Sequence, residues 1–341
     1  MNLKNNTHLI KNSFCIFLVF ILNDCFAQIK TPRDCGYTHL TTIYKGDTVD
    51  ILIWSKAGEE LKPKPLFLFC QGSLPKPLLM VDANGNSPAF PFRTETFETD
   101  FHIAIIGKPG IPAVCEFSKL QSDYTYVDST GKFPEKYIQN NLPDYYVQRN
   151  IAVIKFLQKQ SWVTKEKLIV AGHSEGSTVA AQMAASFKGI THLIYAGGNP
   201  MGRIMSIVSQ RRAEETDTDS TRFGEKDFEY WQKVVDNKTS MEGWPGDTYK
   251  ATYDFSKPSF DLLRKLKIPV LVCYGSKDWS TPFNDYLRAD FIRQNKTNFT
   301  FKAYIGTEHN FFPLDKDGRP DYNTYNWNKV GEDWKSWIKD N

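Results

Sequence analysis

KLIVAGHSEGSTVAAQMAASF, at residues 167–187, combines three patterns in succession. The first six residues are a short apolar run ending in glycine, which is typical of a buried β-strand. GHSEG then matches the G-x-S-x-G pattern, and the small, apolar residues after it favour a helix packed closely on a sheet. The stretch therefore predicts a strand, a sharp turn carrying Ser174, and a helix. Gly172 and Gly176 are expected on either side because strand and helix nearly touch there.

Further apolar runs of this kind are distributed along the chain. They are LFLFCQG (66–72), FHIAIIG (101–107), HLIYAGG (192–198), IPVLVCYG (268–275) and FTFKAYIG (299–306). Nearly continuous apolar runs indicate parallel strands covered by helices on both faces. Upstream, THLTTIY (38–44) and TVDILIW (48–54) flank a turn and predict an antiparallel hairpin. With helix-like stretches between the runs and tryptophans at helical spacing in the last stretch, the fold class is α/β: a doubly wound, mostly parallel sheet with an N-terminal antiparallel hairpin.

Two stretches, 108–142 and 201–267, interrupt the alternation of strands and helices. The second leaves the carboxyl end of a strand, which is the side on which open α/β sheets bind their ligands. We therefore predict a helical cap insertion at 201–267. The core of the domain is then formed by residues 28–200 and 268–341.

The N-terminus has the pattern of a signal peptide. Two lysines precede the apolar run FCIFLVFIL (14–22), and small residues suited to cleavage follow, so residues 1–27 are predicted to be removed after Ala27. Nine apolar residues span about 14 Å, half of the hydrocarbon layer, which argues against stable membrane insertion after cleavage. The expected location is secreted or periplasmic. The alternative is a lipoprotein anchored through Cys25.

Composition limits the partners that the chain could bind. Its 42 basic and 39 acidic residues are well mixed and give a net charge of +3, so no basic block indicates nucleic-acid binding. The six histidines are scattered without metal-ligand spacing, so neither a metal nor a cofactor is expected. Cys70 and Cys273 lie in strand-like runs and are expected as buried thiols, whereas Cys35 and Cys115 lie in turn-rich stretches and could form a disulfide. Nothing in the sequence indicates an oligomeric state.

Ser174 needs a base to remove its proton, and the base needs a carboxylate to orient it. His309 is the histidine that stands in a loop directly after the last strand, in GTEHN. Asp278 follows the strand before it, in YGSKD, and Glu308 beside the histidine is the alternative acid. The order Ser, Asp, His is the one expected for this type of turn. Ser174, Asp278 and His309 are therefore the predicted catalytic residues.

The negative oxygen of a tetrahedral intermediate requires hydrogen-bond donors, which together form an oxyanion hole. One should be the backbone N–H of Glu175, directly after the nucleophile. The other should come from the turn after LFLFCQG, with Ser73 first and Leu74 next. The aromatic residues expected to line the substrate pocket are Trp231, Trp244 and Tyr249 in the cap, and Trp279 beside Asp278.

The fragments LFLFCQGS, IIGKPG, AGHSEGS, IPVLVCYGSKDWSTP and GTEHNF give the chain, from about Thr38 onward, a resemblance to serine hydrolases of the α/β-hydrolase fold. It is similar to the branch that contains prolyl-oligopeptidase-type esterases, dienelactone-hydrolase-like proteins and acyl-thioester hydrolases. The resemblance implies hydrolysis of an ester, thioester or amide through an acyl-serine intermediate, without metal or organic cofactor. Gln71 and Gly72 depart from the His-Gly pair that many relatives have after the corresponding strand.

These features together predict a serine hydrolase that cleaves a carboxylic ester. The alternative within enzymes is a secreted peptidase that cleaves short peptides with the same three residues. The alternative from another class is a non-catalytic binding protein that keeps the pocket for recognition, since a fold alone does not settle function. The expected partner is a small-molecule ester or a short peptide.

Overall fold

The structure is a computed structural model that describes residues 30–216, 219–244 and 246–341. The predicted signal peptide at 1–27, with its cleavage position at Ala27 and the alternative anchor Cys25, lies outside the described residues. None of the helices in the described ranges is long and apolar enough to cross a membrane.

The strands are numbered here in chain order. They are β1 Tyr37–Tyr44, β2 Asp47–Trp54, β3 Lys64–Cys70, β4 Leu79–Val81, β5 Asn86–Pro88, β6 His102–Ile106, β7 Val114–Glu116, β8 Val163–His173, β9 His192–Ala196, β10 Gly243–Trp244, β11 Asp247–Thr248, β12 Val270–Gly275 and β13 Phe299–Tyr304. The α-helices are α1 Glu135–Asn140, α2 Pro143–Leu157, α3 Glu175–Ser186, α4 Arg203–Ala213, α5 Phe223–Asp236, α6 Tyr249–Phe255, α7 Phe260–Lys265, α8 Thr281–Arg293 and α9 Trp327–Asp340.

A mostly parallel sheet of eight strands lies at the centre of the described chain, in the order β1-β2-β6-β3-β8-β9-β12-β13. β1 pairs antiparallel with β2, and β2 pairs antiparallel with β6, whereas all other neighbours in this sheet are parallel. Lys45 and Gly46 make the tight turn between β1 and β2, both with positive φ as a two-residue hairpin loop requires. The predicted α/β fold class, its hairpin and its six core strands are confirmed.

The sheet separates two apolar layers, which is what a strand buried on both faces requires. In β3, Leu66 and Leu68 belong to the layer under α2, α3, α7 and α8, while Phe67 and Phe69 belong to the opposite layer. Successive side chains of a strand point to opposite faces, so the continuous apolar run fills both layers. The opposite layer is closed by α9, with Trp334 fully buried, as the tryptophan spacing predicts.

The 201–267 stretch contains α4 to α7 and the short antiparallel pair of β10 and β11. Trp231 of α5 stacks on Tyr253 of α6, with ring centroids 5.9 Å apart, so these helices pack on one another. Phe255, Phe260 and Leu263, however, belong to the same apolar layer as the sheet and α3. The later part of the stretch thus packs into the core, and the division into core and cap remains a prediction.

A second, small sheet of three strands lies in the order β5-β4-β7. It was not predicted, because strands of three residues are too short to show a hydrophobic period. Cys115 lies in β7, opposite Met80 of β4, whereas Cys35 precedes β1 and is only partly buried. All four cysteines of the described residues are free thiols, so the disulfide considered between Cys35 and Cys115 is not formed.

Candidate active site

Ser174 stands on a sharp turn between the end of β8 and the start of α3. Its φ is +56° and its ψ −125°, a conformation that costs a residue with a side chain on the order of 1–3 kcal/mol. Two backbone bonds hold it: the N–H of Ser174 donates to Ala196 O at 2.9 Å, and the N–H of Ser177 donates to Ser174 O at 3.0 Å. The turn therefore holds the serine at the carboxyl edge of the parallel strands.

Gly172 and Gly176 are needed because other backbone lies where their side chains would be. A Cβ on Gly172 would be 2.1 Å from the carbonyl oxygen of Gly176, and a Cβ on Gly176 would be 2.1 Å from the carbonyl oxygen of Cys70. Real Cβ atoms do not approach other atoms this closely. The two glycines thus allow β8 and α3 to touch each other and the end of β3.

The three residues predicted to be catalytic meet at this turn. His309 Nε2 lies 2.9 Å from Ser174 Oγ, and His309 Nδ1 lies 2.9 Å from Asp278 Oδ2. The Asp278 side chain is fully buried, and its other oxygen accepts from the N–H of Ser280 at 2.9 Å. Burial alone would raise the pKa of Asp278, but the hydrogen bond from His309 and the one from Ser280 outweigh it, and the pKa lies below its ordinary value. Asp278 is therefore held as a carboxylate beside the imidazole.

Glu308, the alternative acid, has a different set of partners. Its carboxylate accepts from the backbone N–H of Asn310 at 2.8 Å and of Phe312 at 3.0 Å. These bonds close the turn that carries His309. Glu308 therefore shapes the loop, while Asp278 is the carboxylate that contacts the ring.

Two rings hold His309 in place from either side. His173 Nε2 donates to the backbone oxygen of His309 at 3.0 Å, and Trp279 stacks on the imidazole with centroids 5.0 Å apart. Burial lowers the pKa of His173 to about 3, so this ring is neutral and can keep its proton on Nε2. Sequence reasoning missed the contribution of His173, whose place inside the G-x-S-x-G match gives no sign of its contact with a distant loop.

Ser73 and Glu175 both line the cavity beside Ser174. Among the residues that the structure describes, neither N–H has an acceptor in the protein. Ser73 is held from its other side, where its carbonyl oxygen accepts from Lys108 Nζ at 3.0 Å and from the Tyr137 hydroxyl at 2.8 Å. The two predicted oxyanion residues are thus brought together on one wall.

Gln71, where the sequence departs from the His-Gly pattern, bonds to a neighbouring strand. Gln71 Nε2 donates to the carbonyl oxygen of Ile106, at the end of β6, over 2.8 Å. This bond joins the loop after β3 to the neighbouring strand. Leu74, the second choice for the oxyanion donor, is exposed and does not line the cavity.

The cavity in front of Ser174 has a volume of about 240 Å³. Its wall on the side of the core includes Trp279 and His309. Its other wall comes from the 201–267 stretch and combines four polar residues with two apolar ones: Arg203, Ser206, Gln210 and Asp247, with Ile207 and Phe255. In the described part of the chain, no three His, Cys, Asp or Glu side chains are grouped so that they could hold a metal ion.

Only one of the four aromatic residues predicted for the pocket lies at the cavity. Trp279 lines the cavity, but Trp231, Trp244 and Tyr249 do not. Trp231 is used in the stacking between α5 and α6, Tyr249 packs beside Tyr230 with centroids 6.4 Å apart, and Trp244 is 76% exposed. Of the aromatic residues in the 201–267 stretch, Phe255, which was not predicted for the pocket, lines the cavity instead.

A buried cluster of charges lies behind this wall, and no pattern in the sequence predicted it. The Glu175 carboxylate pairs with Arg203 at the start of α4 and lies 3.5 Å from Lys108 Nζ. Arg203 also pairs with Asp247 of β11. Burial, together with the nearby positive charges of Arg203 and Arg149, lowers the pKa of Lys108 to about 7. The side chain of one predicted oxyanion residue is thus fixed from two directions.

No family model matches the sequence, and no curated protein is similar to it in sequence. Solved structures share its fold. A 2,6-dihydroxy-pseudo-oxynicotine hydrolase superposes with a TM-score of 0.55 at 14% identity, over 89% of this chain and 67% of the other. A complex of DcsB with a substrate analogue has a TM-score of 0.52 at 14% identity, over 89% and 99%.

A putative dipeptidyl aminopeptidase IV from Bacteroides ovatus superposes with a TM-score of 0.53 at 11% identity. The match covers 92% of this chain but only 37% of that one. At such low identity the likeness concerns the fold. Together with the order of the strands and the turn at Ser174, it shows that the chain has the α/β-hydrolase fold.

Proposed function

We propose that this protein is a serine hydrolase that cleaves a carboxylic ester or thioester through an acyl-serine intermediate. The observation that carries the proposal is the hydrogen-bonded series Ser174–His309–Asp278, which faces a cavity lined by Ser73 and Glu175. A nucleophile, its base, the group that orients the base, and donors for a developing negative charge are the parts that acyl transfer needs.

In the first half of the reaction, Ser174 Oγ attacks the acyl carbon and its proton passes to His309 Nε2. The acyl oxygen takes up the electron pair of the carbonyl bond, and the N–H groups of Ser73 and Glu175 stabilise its charge. Asp278 stabilises the imidazolium that has formed. His309 then donates its proton to the leaving oxygen or sulfur, which departs as an alcohol or a thiol.

In the second half, a water molecule takes the place of the leaving group. His309 removes its proton while the water oxygen attacks the acyl carbon, and a second tetrahedral intermediate forms at the same two N–H groups. When this intermediate collapses, the bond to Ser174 Oγ breaks and the serine recovers its proton from His309. A carboxylic acid is released and the protein returns to its starting state.

The polar residues in the cavity wall guide the choice of substrates for a test. Arg203, Gln210 and Asp247 offer hydrogen bonds to an acyl group or leaving group with polar substituents. Short acyl esters, aryl esters, acyl thioesters and aminoacyl or dipeptidyl amides should be compared on the same preparation. Turnover of the amides alone would favour the peptidase alternative over the esterase.

Labelling with a fluorophosphonate probe tests the nucleophile directly. The wild-type protein should be labelled at one site, and Ser174→Ala should abolish both labelling and turnover. Ser186→Ala, at the exposed end of the same helix, is the matched control and should behave as the wild type. A folded wild-type protein that is neither labelled nor active would instead support the non-catalytic binding protein.

We also propose that the chain is exported and cleaved after Ala27. The support is the pattern of lysines, an apolar run and small residues in the first 27 positions. Mass spectrometry of the protein recovered after expression of the full chain would test this. An N-terminus at Gln28 is expected, and a lipid-modified N-terminal Cys25 would establish the lipoprotein alternative.

A further inference from the structure

Lys108 contacts both predicted oxyanion residues, Ser73 and Glu175, which line the cavity. It follows the carboxyl end of β6, and its side chain is only 4% exposed. Its ammonium lies 3.0 Å from the carbonyl oxygen of Ser73 and 3.5 Å from Oε1 of Glu175. Ser73 belongs to the loop after β3 and Glu175 to the first turn of α3, so a single side chain connects two separate segments.

Two aromatic rings enclose this ammonium and hold it in position. The rings of Tyr137 and Tyr146 lie over it, at 5.6 Å and 5.2 Å from their centroids, which is within the range of a cation–π contact. The Tyr137 hydroxyl donates to the same Ser73 oxygen as Lys108 does, at 2.8 Å. The Ser73 carbonyl is thus held by two donors.

Stability alone does not explain a lysine at this position. Removing an ammonium from water is costly, and well-packed apolar residues in place of a buried ion pair often leave a protein equally or more stable. The Glu175 carboxylate already has a second cationic partner in Arg203. What Lys108 adds is the connection between Glu175 and the Ser73 loop.

We propose that Lys108 is a positioning residue of the oxyanion hole, holding the loop of Ser73 against the first turn of α3 so that the two N–H groups converge on one point. The inference rests on the proposed function, because it concerns the stabilisation of a tetrahedral intermediate. Oxyanion donors act through their preorganised direction, so a loop that can move loses part of their effect even though both N–H groups remain.

The test is the variant Lys108→Met, which keeps an unbranched side chain only one atom shorter and removes the amino group. We expect kcat for the best ester to fall about 10- to 100-fold with KM nearly unchanged, short of the 10²–10³ loss caused by deleting a donor outright. Affinity for a boronic acid inhibitor that mimics the tetrahedral intermediate should fall in parallel. Lys136→Met, at an exposed lysine of α1 that pairs with Asp47, is the matched control and should retain wild-type values.

A second arm separates positioning from general loosening of the protein. If Lys108 acts through the Glu175 carboxylate, Glu175→Gln should also lower kcat, and the double variant should lose less than the product of the two single losses. A folded Lys108→Met protein with wild-type kcat and wild-type boronate affinity would overturn the inference. The inference would also be overturned if the loss of kcat in the double variant equalled the product of the two single losses.

An unfolded Lys108→Met variant and an inactive wild-type protein are two results that must be interpreted separately. If Lys108→Met does not fold, Glu175→Gln weakens the same connection from its other end, and a wild-type kcat and boronate affinity for that variant would overturn the inference. If the wild-type protein itself is not labelled by a fluorophosphonate and hydrolyses no ester, the proposed function fails, and this role of Lys108 fails with it. If the wild type is active and Lys108→Met has the same kcat, the role of Lys108 is contradicted while the proposed function stands.

Discussion

The buried ring of His173 should make the protein lose stability in mild acid. In the folded state burial lowers the pKa of this histidine to about 3, whereas an unfolded chain has a histidine pKa of about 6.5. Below pH 6.5 the unfolded chain therefore binds a proton that the folded chain cannot accept. The stabilising contribution is present above pH 6.5 and is lost progressively as the pH falls toward 3.

The expected size follows from these two values. A pH of 5 lies 1.5 units below the pKa of the histidine in the unfolded chain. Each unit corresponds to about 1.36 kcal/mol, so the stability lost between pH 7 and pH 5 is about 2 kcal/mol. Burial also lowers the pKa values of His102 and His192, which adds a loss of the same sign. The contribution of His173 must therefore be measured as a difference between two proteins.

His173→Gln is the appropriate variant, because its side-chain N–H can still donate to the backbone oxygen of His309 and it takes up no proton. Urea unfolding at pH 7 and pH 5 should show that the wild type loses about 2 kcal/mol more than the variant over this interval. Equal losses would mean that the native ring accepts the proton, which would refute the reasoning. A neutral His173 matters for the site as well, since its ring lies 5.1 Å from that of His309, which becomes positive during the proposed reaction.

Three further changes have expected outcomes. Gly176→Ala places a Cβ 2.1 Å from a backbone oxygen at the end of β3, so it should lower both the melting temperature and the rate of fluorophosphonate labelling. Gly85→Ala, which has open space around it, is the control and should change neither. Asp278→Asn should leave the fold intact and lower kcat by roughly 10⁴, because the histidine then adopts the wrong tautomer; a larger loss in Glu308→Gln would reverse the assignment. Trp279→Ala removes the ring stacked on His309 and should reduce kcat/KM about tenfold, and unchanged steady-state kinetics would show that the stacking does not position the base.

The sequence predicted those parts of the fold and site that depend on local pattern. Apolar runs and terminal glycines belong to single strands, and the parallel sheet then brings their carboxyl ends to one edge. Ser174, Asp278 and His309 each follow such a strand, so their meeting could be inferred from the order of strands alone. The choice of Asp278 over Glu308 also followed from this rule, and the hydrogen bonds to His309 agree with it.

The charged cluster and the pocket wall could not be predicted in the same way. Lys108, Glu175 and Arg203 are far apart in the chain, and their pairing depends on how two irregular stretches fold over the sheet. The aromatic content of the cap indicated side chains that need burial, but not which surface buries them. Trp231 packs against another cap helix and Trp244 is exposed, so neither of these predicted pocket residues lines the cavity in this structure.

The backbone conformation of Ser174 has a consequence for which atoms can do chemistry there. A positive φ is a genuine outlier for a β-branched residue, so Ser174→Thr would keep the hydroxyl but strain the turn that presents it. Cysteine has no such branch and fits the same backbone. A thiol at this position would face the same histidine and the same two N–H groups, so oxygen and sulfur nucleophiles could be compared on one chain with their surroundings held constant.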